Sequence, residues 1–181
     1  AEATYRYIKR LKAAADVSVV YSEQELLNLF QLAGYTDSND YAAFKLNVLK
    51  DKGVAGGVGG APLLKPGMEI DLAGHSLGGH LALLAQRLFP GVFDDVITVN
   101  AATFYGLPLG LANPLKPQTE GLLSLFGQWD NSKILRIESV GDGVSELGAL
   151  HPGKTLTVGM ETQPGALAAF GPNHSVANVA D

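Results

Sequence analysis

Residues 72–80 read L-A-G-H-S-L-G-G-H, with one serine, Ser76, set among Gly74, Gly78 and Gly79 and flanked by His75 and His80. An apolar run precedes this stretch and a helical pattern follows it. A hydroxyl in a tight strand-to-helix turn is the arrangement of a nucleophile elbow, where glycines let strand and helix approach. The following helix points its N-terminus at the reacting centre, and the backbone N–H of Leu77 is placed to donate to a developing oxyanion. A purely structural Gly/Ser turn would use the same residues. The strand before it and the helix after it favour the nucleophile.

A serine nucleophile needs a base, and the base needs an orienting acid. Of the four histidines, His75 and His80 lie too close to the elbow in sequence to swing over it. His151 sits in A-L-H-P-G before the last strand; His174, in G-P-N-H-S-V, follows that strand. The chain order Ser…Asp…His favours His174, with His151 as the alternative. Asp142 follows the strand pattern K-I-L-R-I-E-S-V on a loop at its C-terminal end, where a triad acid belongs. A simple turn aspartate in G-D-G is the competing reading. Glu138 within the strand and Glu146 beyond the loop are weaker candidates, and Asp94 and Asp95 precede a strand, at the wrong end of the sheet.

The elements that must hold these groups are legible as periodicities. Residues 2–15 place Tyr5, Ile8 and Leu11 on one helical face. Ser22 and Glu25 form a capping box that opens a second helix, closed at Gly34, and Asp40 is expected to cap a third carrying Phe44, Val48 and Leu49. The run V-S-V-V-Y (17–21) is strand-like. G-V-A-G-G-V-G-G-A-P (53–62) reads as a connector; it lacks the lysine and Ser/Thr of a phosphate-binding loop. From residue 68 the pattern becomes strand 68–73, helix 79–89, then strands 96–100, 133–140 and 155–158. That alternation predicts an α/β fold, a mostly parallel sheet flanked by helices. Glu69 and Asp71 are odd residues for a strand buried on both faces.

The 181 residues are expected to form a single domain, with a helical N-terminal part (1–65) and a core over 66–178. The net charge of −5 argues against a nucleic-acid partner. Arg6, Lys9, Arg10 and Lys12 read as a solvated helix face rather than a binding patch. With no cysteine in the chain, thiolate metal sites and cysteine nucleophiles are excluded. The first ten residues form a charged amphipathic stretch, not a signal peptide.

Residues 101–132 are long for a connection and dense in apolar side chains broken by Gly and Pro. Phe104, Tyr105, Leu122, Leu125, Phe126 and Trp129 are candidates for a substrate-binding lid or acyl-chain wall. Packing over the sheet edge is the alternative.

I-D-L-A-G-H-S-L-G-G-H-L-A, the later G-D-x-V-x-x-L-G and the terminal N-H-S-V together resemble the α/β-hydrolase lipases. The likeness is to the fungal-type (class 3) lipases and to secreted bacterial lipases and phospholipases, over residues 66–178. The resemblance implies a carboxylic-ester hydrolase with Ser76 as nucleophile, Asp142 as acid, His174 as base and Leu77 as an oxyanion donor. It further implies a lipid-ester substrate, transient contact with a lipid interface, an extracellular setting, and no requirement for a metal or cofactor. A thioesterase, peptidase or acyltransferase would carry the same residues, and a non-catalytic hydrolase-fold module is the rival from another class. In that family a further strand, and a loop giving a second oxyanion N–H, precede the elbow. Their absence from residues 1–65 predicts a shortened variant or the C-terminal part of a larger protein, with an incomplete sheet whose edge strand on the missing side is exposed or covered by the N-terminal helices or another chain.

Overall fold

The apolar periodicity of the first fifty residues produces α1 (Glu2–Leu11), α2 (Glu23–Leu32) and α3 (Tyr41–Val48). The structure, a computed structural model, describes residues 1–102, 104, 116–145, 150–159 and 174. It divides into two units: Ala1–Met68 with Thr119–Phe126, and Glu69–Gln118 with Gly127–Asp181.

In the first unit, α1 buries Tyr5 and Ile8 and stops at Leu11, short of the expected residue 15. The capping box of α2 is complete. Ser22 Oγ accepts the Glu25 N–H at 3.1 Å, and the Ser22 N–H donates to Glu25 Oε2 at 2.7 Å. The start of α3 differs from expectation. Asp37, not Asp40, makes the side-chain cap, accepting the Asn39 N–H at the head of a 3-10 turn that runs into α3. Phe30 stacks on Tyr35 and meets Tyr41 and Phe44 edge-on. Each fully buried side chain of this kind contributes about 1.5–3 kcal/mol. Residues 17–21 form no strand. They make only isolated bridges nearby, Ala15 to Gly53 and Ser18 to Lys52, while Val19 and Tyr21 turn inward. A Cβ at Gly53 would lie 1.9 Å from the Ala14 carbonyl oxygen, so this crossing of two segments requires glycine.

The basic face of α1 is not simply solvated. Arg6 grips Asp51 with two 2.8 Å hydrogen bonds, Lys9 pairs with Glu25 at 2.8 Å, and Arg10 Nε donates to the Lys52 carbonyl. Burial pushes the Glu25 carboxyl up, but hydrogen bonds from Lys9, Tyr5 and the Ser22 N–H outweigh it and hold the pKa at about 2. A carboxylate depressed on folding stabilises the native state above its unfolded pKa, and that contribution is lost as pH falls through the folded value. Denaturant unfolding of the wild type should therefore show stability falling as pH drops from about 5 towards about 2. Glu25→Gln should be less stable than wild type near neutral pH and should show a shallower loss in acid.

In the second unit, β1 (Leu72–His75), α4 (Leu77–Leu88), β2 (Val96–Val99), β3 (Ile134–Ser139) and β4 (Lys154–Val158) follow in order, and α5 (Lys116–Ser124) lies between β2 and β3 in sequence. The four strands are all parallel in the order β1-β2-β3-β4, with Leu72 opposite Val96, Val96 opposite Ile134 and Leu135 opposite Lys154. This is the α/β sheet the alternation predicts. Val96, Thr98, Ile134 and Arg136 are buried, whereas Ile97 and Leu135, one residue out of phase, are partly exposed. Helix α4 packs against β1 and β2.

The elbow strand begins at Leu72 rather than at residue 68. Glu69 and Asp71 therefore precede it in exposed backbone, where Asp71 Oδ1 accepts the Asp95 N–H at 3.1 Å. Their charge no longer conflicts with a buried strand. Among the described residues β1 is an edge strand, with β2 on one side and no strand on the other. No helix among them is long and apolar enough to cross a membrane.

Candidate active site

The turn between β1 and α4 forces Ser76 into an unusual backbone conformation, φ 56° and ψ −123°. Such a conformation costs a non-glycine residue on the order of 1–3 kcal/mol and persists only where neighbours over-determine it. The neighbours are identifiable. The Ser76 N–H donates to the Val99 carbonyl at 3.1 Å, and the Ser76 carbonyl accepts N–H groups from His80 and Ala102. A Cβ at Gly74 would lie 2.4 Å from the Gly78 carbonyl carbon, and one at Gly79 would lie 2.6 Å from Ala101 Cβ. Gly78 differs from its two companions, because a Cβ there would enter open space. Close packing explains the first and third glycines of the motif but not the second.

Asp142 stands just beyond β3 and is fully buried. Its Oδ1 accepts the Val144 N–H at 3.2 Å and its Oδ2 the Ser145 N–H at 2.9 Å. His174 Nδ1 lies 2.7 Å from Asp142 Oδ1. A carboxylate only accepts, so Nδ1 carries the hydrogen and the Nε2 lone pair of a neutral ring is left to take a proton. The His174 ring also packs beside His75, the residue before the serine, with centroids 4.8 Å apart. His174 and Asp142 are thus brought together next to the Ser76 turn. No hydrogen bond joins Ser76 Oγ to His174 among the described residues. Leu77 opens α4, so its N–H is one of the helix-start donors without an intrahelical acceptor.

The other candidates fall elsewhere. His151 is exposed ahead of β4. Glu138 pairs with Arg136 within the sheet. Glu146 lies outside the described residues. Asp94 pairs with Lys133 at 3.3 Å, and Asp94 and Asp95 precede β2, at the opposite end of the sheet from the elbow. His80 Nδ1 donates to the Ala102 carbonyl at 3.2 Å, and burial pushes its pKa down.

The apolar candidates separate into two groups. Phe104 is buried against His80, one helical turn from the serine, with ring centroids 4.2 Å apart. It also meets Trp129, whose Nε1 donates to the Leu83 carbonyl and whose ring lies under the Arg87 guanidinium. Leu122, Leu125 and Phe126 belong to the helical unit, where Phe126 packs on Tyr5 and Leu125 is exposed. Tyr105 lies outside the described residues. Leu77 and Leu81, four residues apart on α4, are 65% and 44% exposed, leaving apolar surface directly beside Ser76.

Two further residues reach His174: His75, which the sequence set aside as a base, and Asn100, which no motif singled out. His75 Nε2 lies 2.7 Å from the His174 carbonyl oxygen, and Asn100 Nδ2 donates to the same oxygen at 3.4 Å. Asn100 directly follows β2 with φ 45°, a left-handed conformation that asparagine tolerates better than most residues. An asparagine closing an apolar strand was the available signal.

No family model matches the chain, and no curated protein matches it.

Proposed function

We propose that this chain is a serine acyl hydrolase that cleaves carboxylic esters, those of lipids above all, through a covalent acyl-enzyme. The observation that carries the reading is the pairing of a strained Ser76 in a strand–turn–helix elbow with a His174–Asp142 hydrogen bond of 2.7 Å on a fully buried carboxylate. In this reading Ser76 Oγ attacks the ester carbonyl carbon while His174 Nε2 takes the hydroxyl proton. Asp142 holds the imidazole in the Nδ1–H tautomer and stabilises the imidazolium. The oxyanion is met by the Leu77 N–H at the positive end of α4. Collapse of the tetrahedral intermediate passes the proton from His174 to the leaving alcohol and leaves the acyl group on Ser76. A water molecule, deprotonated by His174, then attacks the acyl carbonyl and frees the acid and the serine.

The lipid assignment rests on the G-H-S-L-G-G motif and on the apolar surface of Leu77 and Leu81 beside the nucleophile. A fluorophosphonate probe tests the chemistry. Labelling of the wild type that disappears in Ser76→Ala supports it, and equal labelling of both, or of neither, rejects it. An extracellular setting and transient contact with a lipid interface belong to the same proposal.

Polarising the exposed Leu77 and Leu81 side chains tests the lipid assignment. Apolar area buried against an interface contributes roughly 25 cal/mol per Å², and a water-soluble short ester offers no such surface. The double replacement by Gln should depress hydrolysis of emulsified lipid far more than that of the short ester. Equal losses on both substrates would reject a lipid-facing role for this surface.

A further inference from the structure

His174 is held at both ends. Its ring is fixed by Asp142 from the end of β3, and its carbonyl oxygen is fixed by His75 from the end of β1 and by Asn100 just after β2. A carbonyl oxygen only accepts, so His75 must carry its hydrogen on Nε2. Asn100 is fully buried and is itself locked. Its Oδ1 accepts both the N–H and the Oγ–H of Ser139 at 2.8 and 3.0 Å, and its N–H donates to the Ile137 carbonyl. With the amide oxygen committed to two donors, its NH₂ group is aimed at His174. Three consecutive strand ends therefore converge on one histidine whose neighbours in sequence come from a different part of the chain.

We propose that His75 and Asn100 are positioning residues for the triad base, fixing the backbone of His174 so that its Nε2 faces Ser76. The proposal rests on the acyl-hydrolase reading above. Misplacing a reacting group by about 1 Å can cost on the order of 10²-fold in rate, and a two-point clamp on the main chain removes that freedom without touching substrate. The histidine of G-H-S-L-G-G, too close to the serine to act as its base, thereby acquires a role of its own.

The test compares His75→Phe, which keeps a ring beside His174 but removes the donor, with His75→Gln, which restores an N–H at similar reach. Steady-state kinetics on a short p-nitrophenyl ester and the rate of fluorophosphonate labelling are the readouts. His75→Phe should lower kcat and the labelling rate by about 10–100-fold with KM within about twofold, and His75→Gln should recover most of the loss. Wild-type kinetics in His75→Phe, or no recovery in His75→Gln, would overturn the proposal while leaving the hydrolase reading intact. Absence of labelling in the wild type would instead remove both. Nitrogen-15 NMR of the wild-type imidazoles needs no variant to fold. With both rings neutral, His75 should be the Nε2–H tautomer and His174 the Nδ1–H tautomer, and the Nδ1–H form at His75 would also overturn it.

Discussion

Ser76→Ala and His174→Ala should each lower ester turnover by at least about 10³-fold, and the double variant should be little worse than either alone. The expectation follows from shared function: the base is useful only to the nucleophile, so removing one makes the other redundant. Asp142→Asn should also cost heavily, by a different route. The buried carboxylate accepts His174 Nδ1–H along with two backbone N–H groups, from Val144 and Ser145. An amide can present its NH₂ to His174 Nδ1, which then becomes the acceptor, and the proton moves to Nε2, where it cannot accept from serine. KM should change little, because none of these groups needs to bind the ground-state ester more weakly. His151→Ala should leave turnover unchanged, since that side chain stands exposed ahead of β4. Full activity in His174→Ala together with loss in His151→Ala would reassign the base.

The second large effect concerns the elbow glycines, which the structure separates sharply. At Gly74 an added methyl would meet the Gly78 carbonyl carbon and oxygen at 2.4 Å and the Gly79 nitrogen at 2.6 Å, all backbone atoms in the first turn of α4. Backbone cannot rotate aside, so β1 and α4 must part, and the turn that holds Ser76 parts with them. Gly74→Ala should destabilise the chain by about 1–3 kcal/mol or more and remove serine reactivity even in the fraction that folds. At Gly78 there is nothing within 4 Å and no left-handed backbone to relieve. Gly78→Ala should fold normally and gain up to about 1 kcal/mol, because alanine gives up less backbone entropy in a helix. Urea unfolding of the two variants side by side, with probe labelling of each, checks the contrast. Equal stability of Gly74→Ala and wild type would mean that strand and helix do not pack as closely as described.

Much of this molecule is local, and local features can be read in advance. The capping box of Ser22 and Glu25 is complete because both halves lie within one turn of helix and need no distant partner. The switch from helical to alternating periodicity near residue 68 gives the parallel sheet, since each strand must return through a crossover. The elbow is readable for the same reason, being a contiguous strand–turn–helix with small residues where two backbones meet. Other local signals had equally short-range competitors. Asp37 displaced Asp40 as the cap because a 3-10 turn was inserted between them, and residues 17–21 had the composition of a strand but no continuous ladder to join.

By itself the amino-acid sequence determined the α/β class and the position of the strand–turn–helix around Ser76, and it offered Ser76, Asp142 and His174 as candidates in that chain order. Only the tertiary structure decided that Asp142, rather than Glu138, receives a histidine, because Glu138 is already paired with Arg136 inside the sheet. It alone decided that Gly78 is spared the packing that constrains Gly74, and that His75 and Asn100 close on the His174 carbonyl. For the hydrogen-bonded partners of His174 the physical reason is the same. A hydrogen-bond partner 74 or 99 residues away depends on which strand ends the sheet places side by side, and parallel pairing sets that order through contacts between distant residues.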